Sequence, residues 1–164
     1  MVYADYWIAL QEGHLTYGTF EDYKSIINRH IKPSMKGLRM RDVLPDDITR
    51  MMKEVANFSK SVHDKTYMLA KQMFTNAYDN KLISENPCPK MHAGGRDPVE
   101  RQALTNEQMT TLIEAVKGTR AYVFCMIGLY SGLRREEILG LKWDCVRLTG
   151  TPSILVKRAC RFVH

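Results

Sequence analysis

Between Asn86 and Glu100 the chain places three prolines and two adjacent glycines among scattered charges, and that stretch limits what can form on either side of it. Proline lacks a backbone donor and glycine loses the most entropy on ordering, so neither supports a continuous helix or strand. The composition is that of a linker. It divides the 164 residues into a helically patterned block, 1–86, a linker, 87–103, and a second block, 104–164.

The first block reads as four helices. Val2 to Gln11 sets Tyr3, Tyr6, Trp7 and Leu10 at helical spacing, before Glu12-Gly13 ends the run. A second helix starts near Gly18 or Thr19 and presents Phe20, Tyr23, Ile26, Ile27 and His30, with Pro33 closing it. Pro45-Asp46-Asp47 opens a third, with acids where the helix dipole favours them. Its core face is Ile48, Met51, Met52 and Val55. Ser59 or Ser61 starts a longer fourth helix to about Asn80, lined by Val62, Leu69, Met73, Phe74 and Ala77. Leu82 and Ile83 are expected to pack after it.

The second block restarts with a capping box at Thr105-Asn106-Glu107-Gln108. Met109, Leu112, Ile113 and Val116 form the stripe of that helix. Residues 120–130 are almost wholly apolar, which predicts a helix buried on most sides. Arg134 to Leu141 reads as a short amphipathic helix, followed by Trp143 as a core anchor. Residues 153–156 form the one convincing strand. So small a block with a lone strand makes a poor core, and the chain is expected to stop inside a larger domain.

The apolar fraction of 45% supports packed cores. No apolar run approaches the roughly 20 residues of a membrane span, and the N-terminus lacks a secretory pattern. A cytoplasmic protein is expected. The net charge of +6 favours polyanionic partners through counterion release. Cys88, Cys125, Cys145 and Cys160 form no C-x-x-C pair, and no histidine stands at zinc-ligand spacing, so a structural metal is not expected.

The run Ser131-Gly132-Leu133-Arg134-Arg135-Glu136-Glu137-Ile138-Leu139-Gly140-Leu141-Lys142-Trp143-Asp144-Cys145-Val146 resembles the opening motif of the tyrosine recombinase catalytic domain, departing mainly at Cys145. Upstream, Trp7, Thr19 with Tyr23, His30-Ile31-Lys32-Pro33 and Leu82 to Pro87 resemble the core-binding domain of phage-type integrases. The resemblance implies a mainly α protein: a four-helix SAM-like core-binding bundle, then the helical beginning of an α+β catalytic domain. It implies a DNA integrase acting through a 3′-phosphotyrosyl intermediate with no metal, nucleotide or other cofactor, and with double-stranded DNA and further protomers as partners. A non-enzymatic helix-turn-helix regulator is the alternative, and a helical protein-interaction module is a second.

By motif position, the resemblance makes Arg134 a phosphate-binding catalytic arginine and Glu137 the acid that orients it. A guanidinium stays charged and can hold two phosphate oxygens at once. The family's H-x-x-R box is absent from the sequence, and every tyrosine precedes the motif. Lys157 is expected to be a surface charge rather than the family's hairpin lysine. The chain alone is therefore expected to bind DNA without recombining it. The resemblance implies DNA contact around the second and fourth helices, whose starts offer Tyr17, Thr19, Lys24, Lys60, Ser61, His63, Lys65 and Thr66, and hydroxyls and amines at helix starts suit phosphate oxygens.

Overall fold

A computed structural model describes residues 2–89 and 94–160. The chain divides into two compact units, Met1–Glu100 and Arg101–His164. Both are mainly helical, and the second adds a two-stranded sheet.

The first unit is built from α1 (Val2–Leu10), α2 (Tyr17–Ile26), α3 (Lys32–Ser34), α4 (Pro45–Glu54) and α5 (Lys60–Asp79). A π turn at Ile27–Ile31 joins α2 to α3, so helix continues through Pro33 instead of closing there. An ordinary helix would drive the proline ring into the carbonyl four residues back. The wider turn just upstream removes that conflict.

The core of this unit gathers Trp7, Ile27, Ile31, Met35, Ile48, Met51, Leu69, Met73 and Phe74. Full burial of each large apolar side chain is worth roughly 1.5–3 kcal/mol before entropy is counted. The faces expected of α2, α4 and α5 point inward, apart from the partly exposed Val62 and His30. α1 is turned from its expected face. Ala4, Trp7 and Ile8 are buried, while Tyr6 and Leu10 are exposed. An apolar residue stands nearly all round this helix, so periodicity alone could not choose its inner side. Past α5, Ile83 packs as expected, but Leu82 is exposed.

The expected linker is not free along its whole length. Arg96 pairs with Ser59 in a parallel β-bridge at the start of α5.

The second unit contains α6 (Asn106–Val116), α7 (Ala121–Ser131), α8 (Arg135–Leu139), β1 (Val146–Arg147) and β2 (Ser153–Ile154). The capping box of α6 forms in both directions. Gln108 N–H donates to Thr105 Oγ1 at 3.3 Å, and Thr105 N–H donates to Gln108 Oε1 at 3.0 Å. α7 packs against α6 and α8, yet none of its residues is fully buried and Val123 and Tyr130 are exposed. The expectation of burial on most sides is therefore corrected. An all-apolar helix is enclosed only where neighbours cover each face, and here α6 and α8 leave part of it open.

Trp143 is also corrected. It is 83% exposed, and Cys145 is the buried residue of the same 3-10 turn. A turn of about three residues cannot aim both side chains the same way, and the smaller thiol takes the interior. The strand at Ser153 has a partner that sequence reading missed. Val146 pairs with Ile154 and Arg147 with Ser153, antiparallel.

Candidate nucleic-acid interface and phosphate-binding arginine

Arg134 owes its position to the two residues before it. α7 ends at Gly132 in the left-handed region, φ 64°. A side chain there would meet its own backbone, so glycine suits the reversal. Arg134 then sits at the N-cap of α8 with extended backbone angles, φ −69° and ψ 153°. Its N–H donates to Glu137 Oε2 at 2.8 Å, and its Nη1 donates to Glu137 Oε1 at 3.2 Å. One carboxylate thus holds both the backbone and the side chain of the arginine. The arginine side chain remains 83% exposed, whereas that of Glu137 is only 21% exposed.

The neighbouring charges are organised locally. Arg135 Nη2 donates to Glu136 Oε1 at 2.8 Å. The chain after β2 returns past α8, where Cys160 N–H donates to Glu136 O at 2.8 Å. Gly140 permits that approach, because a Cβ there would lie 2.8 Å from Arg158 O. Lys157 lies on this returning segment and is exposed.

In the first unit, the starts of α2 and α5 belong to helices that pack together. Lys65 Nζ donates to Asp22 Oδ2 at 2.5 Å and ties the two helices. Lys24 lies 3.8 Å from Glu21, and Lys60 lies 3.5 Å from Asp97. The expected DNA-contact lysines are thus all paired with carboxylates. These pairs are solvent-accessible, and exposed pairs are worth only about 0–1 kcal/mol, so a phosphate can replace the carboxylate at small cost.

Tyr17 and Ser61 are exposed at the helix starts. α2 begins at Tyr17 after Thr16, one turn position earlier than expected, and the Thr16 and Thr19 hydroxyls lie 2.9 Å apart. Ser59 is the N-cap of α5 and accepts from Val62 N–H at 3.4 Å.

Two of the candidate contacts point inward. His63 is 3% exposed, with Nδ1 3.0 Å from Asp64 Oδ1. Thr66 is fully buried, and its hydroxyl donates to Val62 O at 2.8 Å. Both sit on the inner side of α5, and spacing from the helix start could not show this. Neither side chain can reach a phosphate in this structure. Lys71 lies beyond the first turns of α5, where a helix-start signal does not reach. It shares an open groove with Lys65, Tyr67 and Cys88. Burial pushes the Cys88 thiol up to about 12, and Lys71 partly opposes that rise. The carboxylate partners from other elements, Asp22 and Asp97, carry no local signal at all.

Among the described residues no group of histidine, cysteine and acid side chains could hold a metal, and no helix is long and apolar enough to cross a membrane.

Residues 2–56 match the family described as phage integrase, N-terminal SAM-like domain. The chain is 24% identical over 153 residues to an integrase of Streptomyces ambofaciens, covering 90% of this chain and 39% of that protein. It is 28% identical over 136 residues to a tyrosine recombinase XerC-like protein of Caldanaerobacter subterraneus subsp. tengcongensis, covering 76% of this chain and 34% of that one. These matches make the chain similar to integrases and tyrosine recombinases. The chain also shares its fold with lambda integrase, solved as a tetramer bound to a Holliday junction. The TM-score is 0.75 at 15% identity, covering 94% of this chain and 48% of that one. The chain therefore spans between a third and a half of the length of these relatives.

Proposed function

We propose that this chain is the DNA-gripping part of a site-specific recombinase, carrying one catalytic arginine. The observation behind this reading is the Arg134–Glu137 arrangement, an exposed guanidinium steadied at its base by a half-buried carboxylate. Such a group is pre-aimed yet open to a ligand, which is what binding a phosphodiester requires. For the whole protein the proposed chemistry is attack by a tyrosine on a DNA phosphate, giving a 3′-phosphotyrosyl link. Arg134 would neutralise charge on the non-bridging oxygens. The domain assignment proposed is a core-binding domain over 1–86, a connection over 87–103 and the beginning of a catalytic domain from 104. Double-stranded attachment-site DNA and further protomers are the proposed partners.

In the first unit the proposed contacts are Tyr17, Thr19, Lys24, Lys60, Ser61 and Lys65. The exposed lysines there would exchange carboxylate for phosphate when DNA binds. The test is a fluorescence-anisotropy titration of duplex DNA at several salt concentrations. Affinity should fall steeply with salt, and Lys60→Ala and Lys65→Ala should each reduce the slope by about 1. Affinity indifferent to salt would remove the phosphate-contact reading. Incubation with cleavable DNA should give no covalent adduct from these 164 residues, and an adduct would contradict the assignment.

A further inference from the structure

We infer that residues 86–89 and 94–97 form a strap folded back along α5, so that the connection to the second unit leaves from the N-terminal end of that helix and not from its C-terminal end. The contacts occur in order. Asn86 Nδ2 donates to Thr75 Oγ1 at 3.0 Å. The Tyr67 hydroxyl donates to Pro89 O. Gly94 lies against the ring of His63, and Gly95 against Lys60. Arg96 N–H donates to Phe58 O at 2.7 Å, and Lys60 N–H donates to Arg96 O at 2.9 Å. Over the described strap residues, 86–89 and then 94–96, the partners run back along the chain from Thr75 to Phe58.

The two glycines make the docking specific. A Cβ on Gly94 would come within 2.5 Å of His63 Nε2, and His63 is too buried to swing aside. A Cβ on Gly95 would come within 2.7 Å of the Lys60 Cα, and Gly95 also has φ +81°. Backbone cannot yield there, and an L side chain disfavours that angle. This gives the buried His63 a role. It is the floor on which the strap rests.

The Lys60 amide supplies a further sign. It is the first residue of α5, where a helix has no internal acceptor for its N–H groups. Arg96 O satisfies it from outside the helix.

The consequence is a shorter tether. An unattached connection over 87–103 could extend about 58 Å, whereas residues 98–103 reach about 20 Å, at roughly 3.4 Å per residue. Its origin lies beside Lys60 and Ser61. The strap stands whether or not those residues touch DNA.

Amide hydrogen exchange, followed by NMR on the 164-residue chain, tests it. The Lys60 and Arg96 amides should exchange at least tenfold more slowly than those of residues 99–103. Gly95→Ala should abolish that difference while Leu69 and Met73 stay protected. If Lys60 and Arg96 in the unaltered chain exchange as fast as 99–103, the strap is refuted. Retained protection in Gly95→Ala would refute the role of the glycine. If the variant loses Leu69 protection too, Gly94→Ala serves in its place, and the unaltered chain still decides the main claim.

Discussion

Glu137 accepts two hydrogen bonds from Arg134, one from the backbone amide at 2.8 Å and one from the guanidinium at 3.2 Å. The carboxylate therefore fixes the start of α8 and the base of the arginine side chain together.

Substitution separates these roles. Glu137→Ala should speed exchange of the Arg134 amide about fivefold to tenfold, corresponding to the roughly 1 kcal/mol of a single hydrogen bond. Glu137→Gln keeps an acceptor oxygen and should stay within about twofold of the unaltered chain. Equal exchange in all three proteins would show that the pairing holds nothing in place.

The end of α5 contains a correctable strain. Lys81 has φ +58°, and the next amide, Leu82 N–H, donates to Ala77 O at 2.9 Å in the bond that closes the helix. A left-handed lysine costs about 1–2 kcal/mol that glycine avoids, less the entropy glycine adds to the unfolded chain. Lys81→Gly should raise the urea midpoint by an amount equal to about 0.5–1 kcal/mol with the slope unchanged. A lowered midpoint would sink this account.

The cysteines should differ in reactivity. All four are free, Cys88 is held up to about 12 by burial, and Cys160 is exposed. The thiolate is the reactive form. Iodoacetamide at pH 8 should therefore label Cys160 well before Cys88 in the folded chain, read by peptide mass spectrometry. Unfolding in urea should bring Cys88 into line. Fast labelling of native Cys88 would argue against its burial.

His30 links stability to acid. Burial first, and then the Arg29 charge, holds its pKa below the ordinary 6.5. Its ring also stands edge-on to Phe58 at 4.9 Å. The unfolded state then binds the proton more readily than the folded state. The stabilising contribution is complete above about pH 6.5 and fades as pH falls through the lower folded value. Denaturation midpoints taken from pH 7.5 to 5 should fall less in His30→Phe than in the unaltered chain. Parallel profiles would remove His30 from the acid response.

The order of helices, most of their caps and the place of Arg134 were legible in the residues alone. Thr105 with Gln108, Pro45 with the acids after it, and Arg134 with Glu137 each act within three positions. Sequence spacing reports such distances directly. Pro33 misled because its usual effect is local, whereas the π turn that accommodates it is a property of the longer helix.

Tertiary structure alone decided which sides of the helices face inward. It buried His63 and Thr66, turned Trp143 to solvent and left α7 partly open, because burial depends on neighbours distant in the chain. It also joined Lys65 to Asp22 and Arg96 to Ser59. By itself, the sequence determined that Asn86 to Glu100 would interrupt the helices, since prolines and glycines act on their own backbone. Only the packed structure decided that part of this stretch would lie on α5, because that required a buried imidazole and two missing Cβ atoms to meet across more than thirty residues of chain.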